Sequence, residues 1–156
     1  MARRAEIKLV SELGAGTEVV WARAIDPAGI NDELMPLMRM TVPAGAEDFG
    51  LDLPEPGPVG RSWVLLFGLI PFDYDDIELV RIDPGRGFLE RSRMLSMRLW
   101  EHERTIEPRG ENSCQLTDRL AWESRLPLPG ALLRPLIRAI FRHRHRRLRR
   151  ALKGAG

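Results

Sequence analysis

The chain has 156 residues, of which 44% are hydrophobic and 29% charged, with a single cysteine. Such a length suits one domain (1–156) that buries roughly two thirds of its unfolded surface, and the composition excludes a disordered chain. Charge is unevenly placed: residues 1–124 hold 14 basic and 22 acidic side chains, whereas residues 125–156 hold ten basic ones and no acid.

Further exclusions follow from pattern. With Cys114 alone, neither an internal disulfide nor a thiolate metal cluster can form within one chain. No apolar window is long enough to span a membrane, and residues 1–6 (MARRAE) lack the apolar core of a signal peptide, so a cytoplasmic protein is expected. The charge asymmetry reads first as a basic helix packed on an acidic sheet domain with its charges in water. Contact with nucleic acid or an anionic membrane is the lesser alternative.

In chain order, residues 5–12 form a first strand that ends at Gly14-Ala15-Gly16. Thr17 is the expected N-cap of a short helix through Ala24, with Glu18 near the positive end of its dipole. Pro27 opens a second short helix that ends near Leu34. Residues 37–42 are a strand, followed by a long Pro-, Gly- and acid-rich loop at 43–60 that is a candidate lid. The segment 61–69 is apolar on both faces and is expected to lie centrally in a sheet. Strands at 78–83 and 88–93 flank the turn Pro84-Gly85-Arg86-Gly87, and strands at 96–107 and 113–123 flank the turn at 108–112.

The last element is a helix over 130–152, about 35 Å long. Leu133, Ile137, Ile140, Phe141, Leu148 and Leu152 form its apolar stripe, broken at Arg144, and arginines cover the other face. Pro135 falls in the first turn, where its missing N–H is tolerated. Twelve prolines and fourteen glycines suit short strands and turns. One long helix against one antiparallel sheet is a two-layer α+β arrangement.

Pairing the strands around 108–112 puts Trp100 opposite Leu120, His102 opposite Asp118, Arg104 opposite Leu116 and Ile106 opposite Cys114, all on one face. A two-residue slip keeps that assignment. This face is expected inside, with the Arg104 stem lying along it. Glu101, Glu103, Thr105, Gln115, Thr117 and Arg119 belong in water. A carboxylate beside an imidazole favours its protonated form and fixes the ring, which suits proton transfer; for His102 and Asp118 a self-satisfying polar pair in a pocket wall is the simpler account. No serine or cysteine nucleophile is evidently placed by a base.

Other motifs return little. Gly14-Ala15-Gly16 lacks the rest of a dinucleotide fingerprint. His143 and His145, two apart on a helix, point in different directions and do not share a metal. Asp73-Tyr74-Asp75-Asp76 has the acidity but not the spacing of a calcium loop. The basic run 142–150 has few aromatics for base stacking. No metal or cofactor is expected.

Phe88-Leu-Glu90, Trp100-Glu-His102, Leu116-Thr-Asp118-Arg-Leu120 with Trp122, Pro127 and Phe141-Arg-His143-Arg resemble the START-like SRPBCC superfamily of helix-grip proteins, in the bacterial polyketide cyclase/dehydrase-like group. Arg104 stands where the second histidine of the usual Trp-x-His-x-His pattern falls, and the preceding Gly-Pro-Phe is absent. The resemblance implies a curved antiparallel sheet of about seven strands around the C-terminal helix, two short helices after the first strand, and a cavity for a lipid, polyketide or aromatic molecule. The residues themselves agree with such a cavity: Trp63, Leu65, Phe67, Phe88, Trp100, His102, Leu120, Trp122, Ile137 and Phe141 are its expected lining, and Met35, Met38, Met40, Met94 and Met97 add adaptable surface. The expected partner is thus a hydrophobic or amphipathic small molecule, and a homodimer is compatible with the sequence. The alternative is a cyclase or dehydratase in which His102 and Asp118 handle protons while Arg104 or Glu90 orients a carbonyl.

Overall fold

The computed structural model describes residues 4–44, 55–127 and 130–153. Strand β1 (Ala5–Leu13) leads through helices α1 (Thr17–Ala24) and α2 (Pro27–Leu34) to strands β2 (Met38–Met40), β3 (Gly57–Leu66), β4 (Ile70–Asp83), β5 (Gly87–Met94), β6 (Met97–Gly110) and β7 (Ser113–Ser124). A 3₁₀ turn (Gly130–Leu133) then enters helix α3 (Arg134–Leu152). The strands form one curled antiparallel sheet in the order β1-β7-β6-β5-β4-β3-β2. This is the helix-grip architecture expected from the sequence. The proposed lid falls largely on residues 45–54, outside the described residues.

Because β1 and β2 lie at opposite edges of the sheet, the chain must cross between them, and α1 and α2 make that crossing. Asp26 caps α2 through the Ala28 N–H, and Pro27 supplies the preset φ of a first helical residue. Thr17 is not the cap of α1: that place belongs to Gly16, with Thr17 already helical and no side-chain cap. A Cβ on Gly16 would sit 3.0 Å from the Glu111 carbonyl, so α1 starts hard against the β6–β7 turn.

Two stretches depart from the sequence reading. Segment 61–69 is not central: β3 has only the three-residue β2 beyond it, and its outward Trp63 packs edge-on against Tyr74 instead of a second layer. Residues 70–77, which the sequence reading assigned to no element, are the first part of the 14-residue β4. The β6–β7 register is two residues from the expected one, pairing Trp100 with Trp122, His102 with Leu120 and Arg104 with Asp118. The inward and outward faces are unchanged, as the period of two requires.

Helix α3 lies against β1 and α2. Its stripe buries Ile137 and Phe141 near one end and Leu148 and Leu152 near the other, and the break between them is filled by buried Arg144 and His145. The core accordingly divides. Leu148 and Leu152 join Leu13, Val20, Trp21, Ile106 and Leu116, while Ile137 and Phe141 join Ala5, Ile7, Leu120 and Trp122. Each fully buried Leu contributes roughly 1.5–3 kcal/mol. The exposed side of α3 carries Arg134, Arg142, Arg146, Arg149 and Arg150.

Gly87 fixes how β5 meets β6: a Cβ there would lie 2.1 Å from the Arg104 carbonyl. Gly87→Ala is expected to destabilise the protein by about 1–3 kcal/mol in urea unfolding, through forced separation of the two strands.

Candidate functional site

Alternation along β6 and β7 turns His102, Arg104 and Asp118 inward, where water is excluded: Asp118 is 0% and Arg104 1% exposed. Arg104 is on the inner face, as expected, and its head as well as its stem is buried. Its guanidinium is held by two buried carboxylates. Nε and Nη2 each donate to Asp118 at 2.9 Å, and Nη2 and Nη1 donate to Glu33 of α2 at 2.9 and 3.2 Å. Arg144 of α3 adds its charge 3.5 Å from Glu33.

Both rings flanking this cluster point Nε2 at Asp118, His102 at 2.8 Å and His145 at 2.7 Å. An ionised carboxylate only accepts, so both Nε2 atoms carry the proton. Burial alone would push Asp118 up, but the Arg104 guanidinium, the His102 ring and the hydrogen bonds from both hold it well below the usual carboxylate range. Glu33 is lowered in the same way: burial opposes ionisation, and Arg104 and Arg144 outweigh it. The paired carboxylates drive Arg104 further above its ordinary value, against the effect of burial.

A serine is in fact placed beside a base, contrary to the sequence reading. Ser11 Oγ lies 2.7 Å from His145 Nδ1, completing a chain from Ser11 through His145 to Asp118. Neither Ser11 nor His145 lines the cavity described next.

Between the concave face of β4–β6 and the helices α2 and α3 lies a cavity of about 490 Å³. Ile77, Leu79, Phe88, Met94, Met97 and Trp100 wall it on the sheet side, and Ile30, Leu34, Ile137, Ile140 and Phe141 on the helix side. The volume falls within the ordinary range of small-molecule pockets, about 300–1,000 Å³. The His102 ring stands edge-on between Phe88 and Phe141, at 5.3 and 5.2 Å.

Of the residues singled out from sequence, Phe88, Glu90, Trp100, His102, Arg104, Ile137 and Phe141 line this space. Contrary to expectation, Trp63 and Phe67 are 46% and 60% exposed and do not line it. Leu65, Leu120 and Trp122 are buried outside the lining, and Asp118 sits behind Arg104 and His102. Met38, Met40, Met94 and Met97 line the cavity; Met35 does not.

Sequence reasoning missed Glu33, Asp75, Arg144 and His145. The signals were present but faint: Glu33 falls three residues after Ile30 on one helical face, Arg144 breaks an apolar stripe, and Asp73 and Asp75 alternate in phase with Ile77 and Leu79.

Asp75 is 3% exposed on the cavity wall, and no hydrogen bond reaches its Oδ1. Burial, then the negative charge of Glu90, push its carboxyl well above the usual range. Ser92 Oγ donates to Glu90 at 2.9 Å, and Asp73 is satisfied by the Tyr74 N–H, the Ser96 N–H and the Ser96 hydroxyl. Among the described residues, four buried side-chain polar atoms have no hydrogen bond; Trp21 Nε1, Asp75 Oδ1 and Arg144 Nε belong to residues that line the cavity, and each atom is itself covered.

A curled sheet gripping a C-terminal helix, with a cavity between them, is the helix-grip fold. More narrowly, the chain belongs to a family described only as a domain of unknown function (DUF8410), whose model matches residues 11–152. Similar solved structures include a START superfamily protein from Mycobacterium smegmatis, at TM-score 0.74 and 18% identity, covering 97% of this chain and 99% of that one. A conserved protein from Geobacillus kaustophilus has TM-score 0.69 and 13% identity, covering 97% of each chain. The Zhui aromatase/cyclase from Streptomyces sp. R1128 has TM-score 0.65 and 13% identity, covering 98% of this chain and 93% of that one. At these identities the likeness is one of fold. No match was found among functionally curated proteins. Among the described residues no helix is long and apolar enough to cross a membrane, and no group of three or more His, Cys, Asp or Glu could hold a metal ion.

Arg104→Met would leave Asp118 and Glu33 buried and short of their main counter-charge. It should cost about 3–5 kcal/mol in urea unfolding at neutral pH. Because the folded-state pKa of both acids lies below the unfolded value of about 4, the wild type holds this stability above pH 4 and loses it as pH falls through the folded values. The deficit of the variant should therefore shrink in acid; a deficit independent of pH would show that charge pairing is not its cause.

Proposed function

We propose that the protein binds an amphipathic small molecule, with an apolar body and at least one polar group, in the cavity between the sheet and α3. The observation that carries this is the wall itself: about 490 Å³ of largely apolar space whose lining also includes the polar side chains of Asp73, Asp75, Glu90, His102 and Arg144. A polar group stripped of water and left unpaired costs roughly 1–3 kcal/mol. A molecule that fills the space and pairs with those side chains avoids that cost; a purely apolar one does not. The START superfamily and aromatase/cyclase neighbours lend support at the level of fold.

Binding is favoured over proton-transfer catalysis by what Asp118 already does. It lies outside the cavity lining and accepts from Arg104, His102 and His145 together. His102 is thereby held by a carboxylate whose charge is largely spent on Arg104, which suits a fixed wall better than a base that must change charge.

Native mass spectrometry of freshly purified protein should show a retained small molecule, and a fluorescent apolar probe such as N-phenylnaphthylamine should bind one per chain. Ile140→Trp, which puts an indole into the cavity from α3, should keep cooperative unfolding while probe affinity drops at least about tenfold. Unchanged affinity in that variant would place the probe elsewhere and defeat the proposal.

A further inference from the structure

Resting on the cavity being a binding site, as proposed above, we infer that its acidic wall at Asp75 and Glu90 receives a protonated amine carried on an apolar, ring-bearing body. The argument begins with which charges are already neutralised. Arg104 is committed to Asp118 and Glu33, and Arg144 lies against Glu33 and over the Phe141 ring, 4.8 Å from its centroid. The basic end of the cavity is therefore matched by its own carboxylates.

The acidic end is not matched. Asp73, Asp75 and Glu90 all face the cavity, from β4 and β5, and among the described residues none of them has an arginine or lysine within ion-pair distance. The nearest basic atom to Glu90 is His102 Nδ1 at 3.9 Å, and that ring is held by Asp118. Asp73 has its oxygens satisfied by Ser96 and the Tyr74 N–H. Asp75, almost fully buried, has Glu90 and Ser92 as its side-chain partners and no cation among them.

Two neighbouring carboxyls in a low-dielectric wall resist full ionisation, because each charge disfavours the other. A ligand ammonium beside them removes that repulsion and donates to a carboxylate oxygen, an interaction that a hydroxyl makes without the charge and a carboxylate reverses in sign. Trp100 faces the same space from β6, directly across from Ser92, and Phe88 lies two residues from Glu90 on the same strand face. Those rings suit both an aromatic body and the cation beside it.

The test compares naphthylethylamine, naphthylethanol and naphthylacetate, which share a ring system, as competitors of N-phenylnaphthylamine near neutral pH. The amine should bind about 10- to 100-fold more tightly than the alcohol, and the acid most weakly. Asp75→Asn with Glu90→Gln should lose the preference for the amine over the alcohol; Glu90→Gln alone serves if the double variant does not fold. Equal binding of amine and alcohol, preference for the acid, or an amine preference that survives both substitutions would overturn the amine site while leaving the cavity a binding site. Failure of N-phenylnaphthylamine and all three competitors to bind would overturn both.

Discussion

The guanidinium of Arg104 is the constraint on which the rest of the molecule turns. A cation taken fully out of water costs several kcal/mol unless its whole donor set is paired. Meeting that requirement draws in groups from separate parts of the chain: Asp118 from the neighbouring strand and Glu33 from α2, with Arg144 of α3 joining Glu33. No partner lies next to Arg104 in sequence; Glu33 is 71 residues away. The cluster thus ties sheet, crossover helix and terminal helix in one place. It also lies between the two apolar halves of the core, so neither half can slide along α3 without unpairing a buried charge.

That arrangement explains why a cavity survives in a protein of this size. A long amphipathic helix would otherwise sink onto the middle of the sheet until its stripe met the strands along its whole length. Here α3 leans toward β1 and α2, and the centre of its stripe is polar and already engaged. The concave faces of β4 and β5 are left without a helix directly upon them. What fills the gap is a ring of flexible and aromatic side chains, Met38, Met40, Met94 and Trp100 among them, which close the walls without filling the volume.

The sequence made some of this legible. The paired apolar and polar positions of β6 and β7 marked an inner face, and because side chains alternate with a period of two, a two-residue error in register left His102, Arg104 and Asp118 on the correct side. The apolar stripe of α3 was equally plain. Position 144 looked like a flaw in that stripe because the partner that makes a buried arginine tolerable, Glu33, is visible only once α2 is laid against α3. The same is true of His145, whose serine partner is 134 residues distant. Residues 70–77 were obscured for a different reason: acids are depleted in strands, so Asp73, Asp75 and Asp76 gave no strand signal, although Asp73 and Asp75 turn inward onto the cavity wall. Segment 61–69 misled in the opposite direction. Apolar residues on both faces usually mark a central strand, but Trp63 is partly covered by Tyr74 on the same sheet.

Within a fold shared at such low identity, the chemistry a cavity admits is decided less by its size than by which of its charges are left unspent. Apolar area accepts many bodies of the right volume, and the START-like frame supplies that area regardless of sequence detail. Buried charges discriminate more sharply, because a wrong partner leaves one of them desolvated and alone. In this protein two charged neighbourhoods border one space. The cationic one is matched from behind by Asp118 and Glu33 and holds the architecture together. The anionic one, at Asp75 and Glu90, has no arginine or lysine counterpart in the described wall, and burial raises Asp75 toward its neutral form. Structure and selectivity have been assigned to different charged groups of the same cavity, and the group that the protein leaves without an arginine or lysine is the one proposed to select the head group of a guest.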